Sequence, residues 1–141
     1  MKVVIDTNIF LVSISRRSPF HWIFQRLVEG DFILSITNEI LMEYAEKIGE
    51  HMGTRVSDST MKALTELPNM ERVDIYFKWN LIKDQDDNKF TDCAIASGAD
   101  WLVTHDRDFQ ILKDIPFPKV NVLSAKEFKT LLEMKTDSQE T

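Results

Sequence analysis

Two short apolar runs in this chain, Lys2–Ile5 (KVVI) and Trp101–Thr104 (WLVT), each lead to an aspartate, Asp6 at once and Asp106 after His105. Runs so rich in β-branched and apolar residues suit strands buried on both faces, and such strands belong to parallel sheets. Parallel neighbours need helical crossovers between them. The intervening sequence provides these. Ser18-Pro19 has the cap and first-turn chemistry of a helix start, and Phe20, Ile23, Phe24, Leu27 and Val28 repeat at helical spacing until Gly30. Phe32–Ser35 reads as the next strand. Thr37 then caps a helix with Ile40, Leu41, Tyr44 and Ile48 on its apolar face, ending at Gly49 or Gly53.

Ser57–Leu67 reads as a helix burying Val56, Met61, Leu64 and Leu67, stopped by Pro68-Asn69. Val73–Trp79 reads as extended. The acidic loop KDQDDNK precedes a helix over Asp87–Ser97, with Gly98 as its stop and the strand Trp101–Thr104 after it. Lys119–Leu123 reads as a last strand, Ser124 as a cap and Ala125–Met134 as a helix with Phe128, Leu131 and Leu132 inward. The expected fold is therefore α/β: a doubly wound, mostly parallel sheet with flanking helices. Residues 1–135 form one domain, and residues 136–141 a tail expected to fray.

Ligands in such sheets bind beyond the carboxyl ends of the strands, where strand order reverses. Acids concentrate there. Asp6 follows the first strand and Asp106 follows WLVT, while Asp84, Asp86, Asp87 and Asp92 surround the start of the preceding helix. Glu43 lies two turns into the helix after the second strand, within reach of the same crevice. Carboxylates gathered at a few ångströms raise one another's pKa, so they call for a cation. Asp and Glu without clustered His or Cys select hard ions, Mg²⁺ or Mn²⁺, and such ions support phosphodiester hydrolysis.

Composition excludes several other classes. With one cysteine, Cys93, no disulfide framework or thiolate cage can form, and a reducing cytoplasm is the expected compartment. No apolar run approaches the length of a membrane span, and the start lacks a signal pattern. A net charge of -6 argues against a broad polyanion-binding face. Singly, each acid also has an ordinary reading: Asp6 and Asn8 as turn or helix caps, Glu43 as a solvated helix residue, KDQDDNK as a loop, Asp106 and Asp108 as caps of the helix DFQIL. Their coincidence at one sheet end favours a site.

VVIDTNIF, TNEILMEY and DDNKFTDCAIASGADWLVTHDRDF together resemble the PIN-domain family, in particular VapC-like toxins of toxin–antitoxin systems, over roughly residues 2 to 123. The resemblance implies a Mg²⁺- or Mn²⁺-dependent ribonuclease whose core acids are Asp6, Glu43, Asp87 and Asp106. Asp92 is implied as an auxiliary acid or as an alternative to Asp87, and Asp108 as a further auxiliary. Asn8 and Thr104 match polar positions that support the first and last acids. RNA contacts are expected from a few cations, chiefly Arg16, Arg17 and Lys89, with Lys83, His105 and Arg107 as further candidates. A homodimer and a protein antitoxin are implied as partners. The middle of the chain departs from compact VapC toxins in the helix over Ser57–Leu67 and the segment VDIYFKW. Two rival readings are a receiver-like phosphoacceptor domain, disfavoured by a single Asp after VVI and an unneeded helix Glu, and a PIN-fold module that binds RNA without cutting it, disfavoured by a full set of acids.

Overall fold

The β-branched run at the N-terminus becomes the middle strand of a sheet. In the computed structural model, which describes residues 1–140, Val3, Val4 and Ile5 are fully buried in β1 (Lys2–Ile5). β2 (Ile33–Ile36) and β3 (Met70–Arg72) lie to one side, β4 (Trp101–Val103) and β5 (Val122–Leu123) to the other. All neighbours run parallel, with Val4 opposite Leu102 and Ile5 opposite Val103. The order β3-β2-β1-β4-β5 separates the chain from receiver-type sheets, which are ordered 2-1-3-4-5. Among the described residues, no helix is long and apolar enough to cross a membrane.

Among the described residues six α-helices flank the sheet: α1 (Thr7–Ile14), α2 (His21–Val28), α3 (Asn38–Met52), α4 (Thr54–Glu66), α5 (Asn88–Ser97) and α6 (Ala125–Glu140). Several expected signals do their local work. Thr37 Oγ1 accepts the Ile40 N–H at 3.1 Å, and Gly53, at φ 93°, closes α3. Gly98 ends α5 in the left-handed region, which costs a residue without a Cβ little. Ser124 and Glu127 form a reciprocal capping box at the start of α6, each accepting the other's N–H at 3.0 to 3.1 Å.

Other expectations are corrected. Asp6, not Asn8, caps the first helix, because its Oδ1 accepts the Asn8 N–H. Val73–Trp79 is no strand: the third strand is Met70–Arg72, and residues 73–82 run as an irregular strap. α4 buries Ser57, Thr60 and Leu64 where Val56 had been expected, and Val56 stays exposed. Small hydroxyl residues let α4 lie close on α3, with Ser57 Oγ donating to the Ala45 carbonyl at 2.7 Å. DFQIL lies in a 3₁₀ helix, Arg107–Asp114. α6 continues to Glu140, and the last residue of the tail expected over 136–141 lies outside the described residues.

Two anchors fix the elements that carry the acids. Tyr44 stacks on Phe10 with ring centroids 4.1 Å apart, and its buried hydroxyl donates to the carbonyl of Ile5, the last residue of β1. That contact docks α3 at the sheet end. The strap is tied to α5 by Asn88, whose amide receives the Ile82 N–H at 2.9 Å and donates to the Ile82 carbonyl at 3.0 Å. Asn88→Ala leaves both buried backbone groups unpaired and is expected to cost about 2–4 kcal/mol by urea unfolding. A loss under about 1 kcal/mol would mean that these bonds are replaced by water.

Candidate metal centre

The chain runs outward from β1 to β2 and β3 and then crosses to β4 and β5 on the other side. The carboxyl ends of β1 and β4 therefore flank the switch point, and each hands on an acid there. Asp6 is only 7% exposed, and its N–H donates to the Val103 carbonyl at 3.1 Å, which continues the β1–β4 ladder by one step. Thr104 joins the two acids. Its hydroxyl donates to Asp6 Oδ2 at 2.6 Å and accepts the Asp106 N–H at 3.0 Å. Burial pushes the Asp6 carboxyl above its ordinary range; the Thr104 and Asn8 hydrogen bonds pull it back, and Asp106 and Glu43 push it up again.

Asp106 caps the 3₁₀ helix after β4, its Oδ1 accepting the Asp108 N–H at 2.9 Å. Asp87 closes a 3₁₀ turn, Gln85–Asp87, and stands at the N-cap of α5. Its Oδ2 is buried with no hydrogen-bond partner, and its carboxyl is pushed up to about 6, first by burial and then by Asp106, Asp84, Asp6 and Asp108. Asp87 thus feels both strand-end acids. Glu43 is held at both oxygens: the Thr7 hydroxyl donates to Oε2, and the Lys89 ammonium stands 3.0 Å from Oε1.

The remaining candidates separate clearly. Asp92 is 5% exposed, but its Oδ1 accepts the Trp79 N–H at 3.1 Å, and the charges it feels are Lys78 and Glu39. It fastens the strap to α5. Asn8 and Asp108 touch the core acids through their backbone N–H groups. Arg16 and Arg17 are exposed on the loop between α1 and α2, whose Phe20 packs edge-on against His105, 5.7 Å away. Lys83 and Arg107 are exposed as well, whereas the Lys89 side chain is 11% exposed and engaged with Glu43. Asp84 was not expected as a core member. Among the described residues, Asp84, Asp87 and Asp108 are the acids whose oxygens all lie within 4.8 Å of one another. The only sequence signal for it was the density of acids in KDQDDNK.

An unpartnered, buried carboxylate oxygen inside such a cluster fits a hard divalent cation, which would neutralise acids that otherwise repel. Asp87 reports that repulsion. It holds its proton more tightly in the fold, near 6, than unfolded, near 3.8, so folding takes up a proton between these values and stability falls as pH rises through them. In chelator, the melting temperature is expected to drop between about pH 4 and about pH 6, and Asp87→Asn to flatten that drop. Identical slopes in the two proteins would show that Asp87 is not the strained group.

The PIN domain family model matches residues 2–108. No curated protein matches the chain. Among solved structures it is similar to VapBC2 from Rickettsia felis, determined bound to a DNA fragment from its promoter, at 19% identity and TM-score 0.60, over 88% of this chain and 98% of that one. It is also similar to Mycobacterium tuberculosis VapC20, described as a toxin that cleaves the sarcin–ricin loop, at 13% identity and TM-score 0.56, over 77% of this chain and 93% of that one. At these identities the likeness is one of fold. With the family match covering β1 through the start of the 3₁₀ helix after β4, and with it every acid of the centre, the chain belongs to the PIN domain family.

Proposed function

We propose that this protein is a divalent-metal-dependent endoribonuclease that hydrolyses RNA phosphodiester bonds, acting as the toxin of a toxin–antitoxin pair. The observation that carries the reading is the buried, unpartnered Asp87 Oδ2 among acids that raise its pKa. Asp6, Glu43, Asp87 and Asp106 are the proposed catalytic acids, with Mg²⁺ or Mn²⁺ as the ion and Asn8, Thr104 and Asp108 in support. A divalent ion supplies the positive charge that a phosphodiester needs for attack by water and departure of an oxygen. Asp6 and Asp106 flank the switch point, and Thr104 fixes both.

A covalent route lacks its parts. Cys93 is fully buried and its thiol is pushed up to about 12, chiefly by burial. Each histidine has a ring nitrogen bonded to main chain: His21 to the Ser13 carbonyl, His51 to the Lys47 carbonyl and His105 to the Ala125 N–H. None of these contacts pairs a histidine with a nucleophile. RNA contacts are assigned to Arg16 and Arg17, exposed on the loop whose Phe20 borders the same cavity as Asp6 and Asp106.

The likeness to a VapBC complex supports an antitoxin partner, and that to VapC20 supports RNA as substrate. A homodimer is proposed on the same footing, supported by exposed aromatic groups such as Tyr76, Phe77 and Phe117. The proposed catalytic domain spans residues 1–135, and the proposed compartment is the cytoplasm.

The test is cleavage of several unstructured RNAs by highly purified wild type, Asp6→Asn and Glu43→Gln in parallel. Wild-type cleavage is expected to stop in EDTA and return with Mg²⁺ or Mn²⁺, and each variant to lose at least about a hundredfold in rate while staying folded. Cleavage that persists in chelator, or that runs equally in all three proteins, would overturn the reading.

A further inference from the structure

Lys89 sits where a lysine is not favoured by its own helix. It follows Asn88 in the first turn of α5, the positive end of the helix dipole, which opposes a cation. Its side chain is only 11% exposed, so solvent does little to offset that. What holds the ammonium is Glu43 Oε1 at 3.0 Å, with the face of Phe90 beside it, 5.8 Å to the ring centroid. Glu43 in turn has its other oxygen on the Thr7 hydroxyl. Both oxygens of this acid are therefore engaged, whereas Asp87 Oδ2 has no partner at all.

This asymmetry divides the centre. On the side of Asp87 a buried carboxylate oxygen has no partner, and Asp84, Asp87 and Asp108 each offer an oxygen within 4.8 Å of the others. On the side of Glu43 a cation is already present. We infer that Lys89 is the built-in counter-ion of Glu43: it takes the place that a divalent ion would occupy on that carboxylate, and so confines metal to the Asp87 side. Lys89 is in this account a positioning residue, holding Glu43 at fixed charge and orientation, and not a phosphate contact. The inference rests on the metal-centre reading above and refines it to a statement about how many ions the site takes.

Displacing the ammonium would strand a mostly buried cation near a helix N-terminus, whereas an ion entering at Asp87 displaces nothing. Removing the ammonium without changing side-chain length, as in Lys89→Met, leaves Glu43 short of a partner and open to metal. Three proteins decide the matter, each titrated with Mn²⁺ while free ion is followed by its paramagnetic resonance signal. Lys89→Met is expected to take up one Mn²⁺ more per chain than wild type; Lys89→Arg, which keeps the charge, is expected to match wild type. Adding Glu43→Gln to Lys89→Met should return the count to the wild-type number.

Thermal unfolding provides a second readout. In chelator Lys89→Met is expected to melt below wild type, and in saturating Mn²⁺ the gap should close, because the extra ion replaces the lost ammonium. A purely structural lysine would give the same gap with and without metal. Equal Mn²⁺ counts in wild type and Lys89→Met, or a gap indifferent to metal, would overturn the inference while leaving the metal centre intact. No Mn²⁺ uptake by wild type beyond that of Asp6→Asn would overturn the metal centre, and the inference with it.

Discussion

The organisation of this molecule rests on one constraint: acids brought together at the end of a buried parallel sheet repel one another, and the fold holds them there regardless. Asp6 is 7% exposed, and it receives hydrogen bonds from the Thr104 hydroxyl and the Asn8 N–H but, among the described residues, no salt-bridge cation. Asp87 has an oxygen with no partner. Such an arrangement is costly in a domain whose net stability is only about 5–15 kcal/mol, and a chain under no functional demand has cheaper ways to end a strand. The cost is tolerable because the supports are rigid. The β1–β4 ladder fixes Asp6, Thr104 bridges to Asp106, Tyr44 docks α3, and Asn88 locks the approach to Asp87.

That repulsion is uneven. Where hydrogen bonds and an ammonium already serve a carboxylate, as at Glu43, its charge is settled within the protein. Where nothing does, as at Asp87, burial and the neighbouring acids push the carboxyl up to about 6, and this is the place proposed for a cation. Under the proposed function the same acids would serve as ligands, and metal binding would then be coupled to folding. A net charge of -6 leaves little for a broad basic face, so the proposed RNA contacts would be local.

Sequence patterning revealed most of the sheet, and set the proposed site acids Asp6 and Asp106 at its strand ends, because both leave short-range signals. KVVI and WLVT are runs that only a buried strand accommodates, and Asp6 and Asp106 stand where they end. Thr37 and Gly98 likewise act through neighbours in sequence. Tertiary contacts left no such trace. The third strand, MER, lacks β-branched residues and is defined by its pairing with β2, while the more strand-like VDIYFKW is held off the sheet by Asp92 and Asn88. α4 packs through Ser57 and Thr60, which no hydrophobic pattern selects. Asp84 joins Asp87 only through the turn between them, and Lys89, which composition suggests is a surface cation, is claimed by an acid on another helix.

The acids at this sheet end are proposed to hold a divalent cation at Asp87, beside Asp6 and Asp106. Anomalous diffraction from crystals soaked in Mn²⁺ tests it most directly, because the signal locates the ion without reference to activity. A peak bonded to Asp87 and to at least one neighbouring acid is expected, absent in Asp87→Asn. At saturating Mn²⁺, an empty centre, or a peak unchanged by Asp87→Asn, would contradict it.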